Sequence, residues 1–392
     1  MNLHEFQAKE ILARRGVRVP AGRIAWSAEE AEAVARELAA QRFAVKAQIL
    51  AGGRGQAGGV KFAATSDTVR SAAQSLIGST LVTRQTGPEG RKVKRVYVEE
   101  AVSTSRDIYV AALVDRRAGC PMLIGVSEGG EDVEERIARD ENAVRRLPLP
   151  LDGSQPAEDD LRDFAASLVG QDGPVEKAVD ILRVLASALG ELDATLIEIN
   201  PLALTKGGDL IVVDAKLTLD DNALFRHPDL QALRDEDEQD AVEFEAQRHD
   251  INFVRMDGDI GVVVNGAGLA LATHDMLRDA GGAPANFMDI RTTATSLQIA
   301  KGIGLLLANP GVKVLLINVH GGGMTSCDTI VEALSIAMRW SGRRVPVVFR
   351  AAGQNAGYAE KMMVDRRIPH EAAKTIQDAV RLAVAQAGKR AA

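Results

Sequence analysis

Phe43-Ala44-Val45-Lys46-Ala47-Gln48 runs into Ala51-Gly52-Gly53-Arg54-Gly55-Gln56-Ala57-Gly58-Gly59, and Val60-Lys61-Phe62 follows. This order predicts a short strand that delivers a lysine, a glycine-rich loop and a second strand. Glycine lets backbone N–H groups approach an anion closely, and Lys46 and Arg54 add positive charge beside them. A phosphate cradle suits that combination; a mobile glycine hairpin is the plain alternative. It is not a Walker loop, because Gly-Lys-Ser/Thr is missing and a strand rather than a helix follows.

Composition narrows the partners. The 392 residues leave room for two or three domains, each with its own core. Aromatic residues make up 4% of the chain, too few for a stacking platform, and a net charge of -7 disfavours a nucleic-acid backbone. Cys120 and Cys327 alone build neither a disulfide framework nor a four-ligand zinc site. The polar Met1–Phe6 start has no apolar signal core, and no apolar run reaches spanning length. A reducing, cytoplasmic setting with no membrane partner is therefore expected.

Along the chain, Asn2 with Glu5 and Ser27 with Glu30 read as helix N-caps followed by an N3 acid. Strands are expected at Val96–Glu99, Ile108–Val114 and Met122–Val126, and helices at 156–170 and 174–189. Ala194–Leu202 and Leu210–Lys216 form a hairpin around Lys206–Asp209, which places Asn200 opposite Asp214. Those two oxygen donors suit Mg²⁺, or else are hydrogen-bonded residues of an ordinary hairpin. The acidic stretch from Arg234 to Glu245 reads as a solvated linker or exposed helix that marks the domain boundary. Beyond it, strands at Ile260–Val264, Asn286–Ile290, Val312–Val319 and Val345–Arg350 alternate with helices, as in a doubly wound parallel sheet. Its strand-end loops hold Asn265, Arg291-Thr292-Thr293 and His320-Gly321-Gly322-Gly323-Met324. The last runs into a helix whose N-terminus favours an anion, and a plain tight turn is the alternative.

Several long motifs in order make the chain resemble the β subunit of succinyl-CoA synthetase, the ADP- or GDP-forming succinate–CoA ligase. They are Leu3-His4-Glu5-Phe6-Gln7-Ala8-Lys9, Val45 to Gly59, Glu198-Ile199-Asn200-Pro201-Leu202, Asp214-Ala215-Lys216, Asp221 to Arg226, and Val264 to Ala270. The resemblance implies an α/β chain with an ATP-grasp nucleotide-binding domain at 1–240 and a flavodoxin-like CoA-ligase domain at 241–392. It implies ATP or GTP and CoA as substrates and Mg²⁺ as cofactor. Lys46, Gly53, Arg54 and Gly55 would hold nucleotide phosphates, and Glu99, Val102 and Asp107 would line the base and ribose cleft. Asp107 stands where the family has glutamate. Asn200 and Asp214 would bind Mg²⁺, and Glu198 would steady a phosphohistidine. That histidine belongs to a partner α subunit with the CoA site, in an αβ or α2β2 assembly. The family activates its acid as an acyl phosphate, and Asn265, Gly322, Gly323 and Met324 would face that acid.

Departures from the family cluster in one place. Asp289-Ile290-Arg291-Thr292-Thr293-Ala294 replaces Asp-Val-Gly-Gly-Gly-Ala, and His320 stands where the family has phenylalanine. Arg291, Thr292, Thr293 and His320 would supply donors to an extra polar group, with a packing substitution the alternative at His320, so a substituted or dicarboxylic relative is expected as the acid ahead of succinate itself. A non-catalytic nucleotide- or acid-sensing subunit and an ATP-grasp carboxylate–amine ligase are the other readings. His4, His227, His249, His274 and His370 are expected to be surface or satisfied residues.

Overall fold

The structure, a computed structural model, describes residues 1–130, 133–140, 143–238, 240–322 and 325–388. One compact unit spans Met1–Glu238 and a second spans Gln239–Ala392. The first opens with α1 (Glu5–Arg14), β1 (Gly22–Ala25) and α2 (Ala28–Leu38). The expected strand–loop–strand follows as an antiparallel pair, β2 (Phe43–Ala47) and β3 (Val60–Ala63). After α3 (Ser66–Leu76) comes a two-stranded ribbon, β4 (Thr80–Leu81) with β5 (Arg91–Lys92), and then β6 (Val96–Glu100).

A four-stranded sheet takes the order β1-β6-β2-β3. Side chains alternate between its faces. Phe43, Val45 and Ala47, with Val96 and Val98, join Val34, Val69 and Leu76 in a core beneath α2 and α3. Ala44, Lys46, Tyr97 and Glu99 consequently belong to the opposite face.

The chain continues through β7 (Thr104–Asp115), β8 (Cys120–Val126), α4 (Val133–Arg139) and β9 (Arg145–Pro148). Two helices, α5 (Glu158–Val169) and α6 (Val175–Glu191), lead to β10 (Ala194–Thr205), β11 (Leu210–Val212) and β12 (Ala215–Leu219). These strands form a second sheet, β11-β10-β7-β8-β9, with β12 also on β10. Ile108, Val110, Ile197 and Ile199 pack under α1, α5 and α6 with Leu12, Leu161, Leu182 and Leu185. A short helix, α7 (Pro228–Gln231), precedes the boundary.

Two expectations need correction here. His4 rather than Asn2 caps α1, with Gln7 at the N3 position. Asn2 instead lies in a bridge with Thr218, extending the β12 edge, where the terminal ammonium donates to the Leu219 carbonyl at 2.6 Å. The acidic stretch is not simply solvated: Glu238 is buried, Asp235 pairs with Arg95 and His4, and Asp237 meets Lys94 at 2.8 Å. Its charge fastens the end of the first unit onto the residues just before β6 and the cap of α1. Ser27 caps α2 as expected, its side chain accepting from the Glu30 N–H.

The second unit comprises α8 (Ala241–Arg248), β13 (Asn252–Arg255), β14 (Ile260–Asn265), α9 (Ala267–Asp279), β15 (Asn286–Ile290) and α10 (Ser296–Ala308). It continues with β16 (Val314–Gly321), α11 (Cys327–Ser341), β17 (Val347–Gly353), α12 (Ala356–Asp365), β18 (His370–Ala372) and α13 (Ile376–Gly388). The sheet order is β13-β15-β14-β16-β17-β18. All its pairings are parallel except the β13 edge. The short edge strands β13 and β18 were not expected from the sequence. Ile303, Leu306, Ile330 and Leu334 of α10 and α11 cover one face, and Ala270, Leu277, Val380 and Ala383 of α9 and α13 the other. This is the doubly wound arrangement, and its strand order reverses between β14 and β16.

Candidate functional site

A cleft of about 720 Å³ lies within the first unit and is lined from both of its larger sheets. Lys46, Gly53, Arg54, Gly55, Glu99, Val102, Asp107, Glu198, Asn200 and Asp214 all border it. The strand alternation explains this: the face of β2 and β6 turned away from the α2/α3 core carries Lys46 and Glu99. On β10, Ile197 and Ile199 enter the core, leaving Glu198 and Asn200 for the other face. A register shift against β7 falls between Ile199 and Leu202, at the Asn200–Pro201 step. Such irregularities re-aim side chains beside functional sites.

The glycine loop folds back on itself. Ala57, Gly58 and Gly59 donate from their N–H groups to the carbonyls of Gly53, Gly55 and Arg54. Gly53 has φ +73°, a conformation that glycine takes without the strain of a Cβ. At Gly59, a Cβ would lie 2.7 Å from a Leu81 methyl.

Three cations and three carboxylates meet at the base of the cleft. The Lys46 ammonium lies 2.8 Å from Glu5, 2.6 Å from Glu99 and 2.7 Å from the Val213 carbonyl. Arg54 donates from Nη1 to Glu5 at 2.8 Å and from Nη2 to both Asp214 oxygens at 2.9 Å. Lys9, one turn after Glu5 on α1, joins Glu5 at 2.9 Å to Glu99 at 2.6 Å. Burial opposes the charge on Glu5, yet Lys46, Lys9 and Arg54 outweigh it and hold its pKa well below the usual carboxylate range. Burial likewise opposes the charge on Lys46, and Glu5, Glu99 and Asp214 overcome it and raise its pKa. Three basic side chains thus face three carboxylates, each paired within the cluster.

Glu5, Lys9 and the Val213 carbonyl were not singled out from the sequence. The spacing of Glu5 and Lys9 one turn apart, on a helix otherwise bound for the core, is the signal that carried them. Glu99 borders the cleft, but its carboxylate is 1% exposed and committed to Lys9 and Lys46. At Asp107, Oδ1 is buried with no protein hydrogen-bond partner, an acceptor that fits a hydroxyl or amine donor on a ligand.

Asn200 and Asp214 are adjacent, the Asn200 N–H donating to the Asp214 carbonyl at 3.1 Å. The Asn200 amide grips Gly130 reciprocally, accepting from its N–H at 2.8 Å and donating to its carbonyl at 3.1 Å. No group of three or more His, Cys, Asp or Glu side chains shaped for a metal occurs among the described residues. One carboxylate and one amide oxygen fit Mg²⁺, which keeps waters and takes further oxygens from substrate phosphates.

In the second unit the expected residues gather at the carboxyl ends of β14, β15 and β16. Asn265 bridges the first and last, accepting from the His320 N–H at 2.8 Å and donating to the His320 carbonyl at 2.7 Å. Thr325 donates to the Thr292 carbonyl at 3.0 Å and to the Gly322 carbonyl from its N–H at 3.3 Å, tying two strand-end loops together. Arg291, Thr292, Thr293, His320 and Gly322 are exposed. Arg291 meets Asp250 at 3.8 Å. Gly323 and Met324 lie outside the described residues.

The other histidines are engaged within the fold. His227 meets Asp193 at 2.7 Å, His249 meets Glu245 at 3.0 Å, and His274 and His370 contact backbone carbonyls. No described helix is long and apolar enough to cross a membrane.

A family model described as an ATP-grasp domain matches residues 2–204, and one described as CoA-ligase matches residues 263–390. The ADP-forming succinate–CoA ligase β subunit of Ralstonia nicotianae is 45% identical over 388 residues, covering 99% of each chain. Its counterpart from Burkholderia thailandensis is 42% identical over the same length and coverage. A solved structure of ATP citrate lyase from Methanothrix soehngenii, in complex with citrate and coenzyme A, superposes with a TM-score of 0.71 at 16% identity. That likeness covers 98% of this chain and 99% of the other, and it shows a shared fold.

Proposed function

The chain belongs to the family of ADP-forming succinate–CoA ligase β subunits, and from that premise we propose how its two units divide the work. The first binds ATP, or GTP, and passes the terminal phosphate to a histidine of a partner α subunit. That phosphate then activates the acid as an acyl phosphate, which CoA converts to the thioester with release of phosphate. The observation that carries this reading is the single cleft bordered by all ten residues expected for it.

Phosphoryl transfer needs positioning and neutralisation of charge more than covalent help from the protein. Lys46, Arg54 and the Gly53–Gly55 backbone would hold the nucleotide phosphates, and the Asp107 oxygen would accept from the nucleoside. Asn200 and Asp214 would hold Mg²⁺, which when bound offsets phosphate charge. Glu198 would steady the incoming imidazole. In the handover the bond between the terminal phosphorus and its bridging oxygen breaks, a P–N bond forms, and ADP departs with the electron pair. A coupled assay of ADP release by the chain with its α partner tests the reading. One equivalent of ADP released without acid or CoA, followed by continuous release that requires both, supports it; nucleotide binding with no phosphorylation of the partner would instead favour a sensing subunit.

The acid we place at the strand-end loops of the second unit, with Arg291, Thr292, Thr293 and His320 as donors and Asn265, Gly322, Gly323 and Met324 as neighbours. Exposed donors where the family carries glycines support a substituted or dicarboxylic relative of succinate. Succinate itself is the competing reading, carried by the names of the relatives. A site built to hydrogen-bond an extra group rejects an acid lacking it by about 10⁴ or more. A panel of succinate, malate, citrate and sulfonated acids separates the two, and succinate as the clear best substrate overturns the substituted-acid reading.

A further inference from the structure

The cluster at the base of the cleft contains a distinction between its carboxylates. Asp214 is 38% exposed, whereas Glu5 and Glu99 are each 1% exposed. Asp214 touches one cation of the cluster, Arg54. Glu5 touches all three: Oε1 lies between Lys46 and Lys9, and Oε2 takes Arg54 at 2.8 Å and the Gln48 amide at 3.2 Å. Its backbone is equally fixed. It is the first residue of α1, directly after the cap at His4, whose N–H donates to Gln7 at 2.9 Å. Gln7 in turn donates to the Leu233 carbonyl at 2.9 Å.

We propose that Glu5 is a positioning residue of the nucleotide site, setting the separation of Lys46 and Arg54, while Asp214 is the counter-ion that yields to phosphate. The proposal rests on the nucleotide reading of the cleft. A carboxylate that bridges two cations in a dry site fixes where both can donate. Such preorganisation spares the ligand the cost of ordering them. Arg54 Nη2 becomes available when Asp214 turns away, and Nη1 stays on Glu5.

Position and charge predict opposite signs, which makes the proposal testable. Glu5→Gln and Asp214→Asn each remove one negative charge from the same cluster. If charge alone mattered, both would tighten binding of an anionic ligand. Titration calorimetry of ADP, with chelator present and no divalent metal, should show Asp214→Asn binding at least as tightly as wild type. Glu5→Gln should bind at least tenfold more weakly, the scale of one misdirected charge-assisted bond. Should Glu5→Gln fail to fold, Glu5→Asp decides the matter: it keeps the charge, withdraws the carboxylate by one methylene, and should also weaken ADP binding severalfold. Tighter binding by Glu5→Gln, or wild-type binding by Glu5→Asp, overturns the role of Glu5. Wild-type ADP binding by Lys46→Ala would instead overturn the nucleotide reading of the cleft.

Discussion

His4 links acid stability to the element that delivers Glu5. Its ring is 1% exposed and lies against Arg95 and Asp235, and its Nδ1 is buried with no partner. Burial, then the charges of Arg95 and Arg54, lower its pKa from 6.5 to about 3. The fold therefore holds the imidazole neutral, while the unfolded chain takes up a proton as pH falls through 6.5. Between those values the unfolded state binds one more proton, so stability falls with pH by up to about 1.4 kcal/mol per unit. Going from pH 7 to pH 5.5 should cost about 1.2 kcal/mol from this residue, or about 3 to 5 °C for a unit of this size. The assay is denaturant unfolding of wild type and His4→Gln at both pH values. Glutamine keeps polarity and removes the titration, so the gap between the two proteins should narrow by about that amount at the lower pH. An unchanged gap would refute the reasoning, because the remaining histidines and carboxylates are common to both proteins.

Two further outcomes follow from single contacts. Arg54→Lys keeps the charge but loses the fork that spans Glu5 and both Asp214 oxygens, so Mg-ADP affinity should fall by about tenfold or more in calorimetry while the melting temperature moves little. Asn265→Ala removes both bonds that clamp β14 to the His320 backbone, and should raise the KM for the acid, leave the nucleotide KM unchanged and cost about 1–3 kcal/mol of stability.

Much of this architecture is legible in the chain because alternation and local capping determine it. The apolar residues of β2 and β10 leave only one face for Lys46 and Asn200, so a pattern of period two locates half the cleft. The β14 and β16 strands announce themselves by short apolar runs, Ile260–Val264 and Val314–Ile317, buried on both faces. What stays hidden depends on contacts distant in sequence. Glu5 acquires its meaning only when Lys46 and Arg54 arrive from residues more than forty positions away. Asp235 looks solvated until Arg95 and His4 meet it, and the pairing of Glu99 with Lys9 shows only once α1 packs beside β6. The edge strands β13 and β18 are too short to show a period.

The most direct test of the central claim follows labelled phosphate from the nucleotide to the partner's imidazole by rapid quench, in wild type and Lys46→Met. Lys46 is the buried ammonium between Glu5 and Glu99, and removing such a preorganised charge should slow the handover by about 10²–10³ while circular dichroism and association with the partner persist. Transfer at the wild-type rate by a folded, partner-bound Lys46→Met protein would contradict the assignment of this cleft.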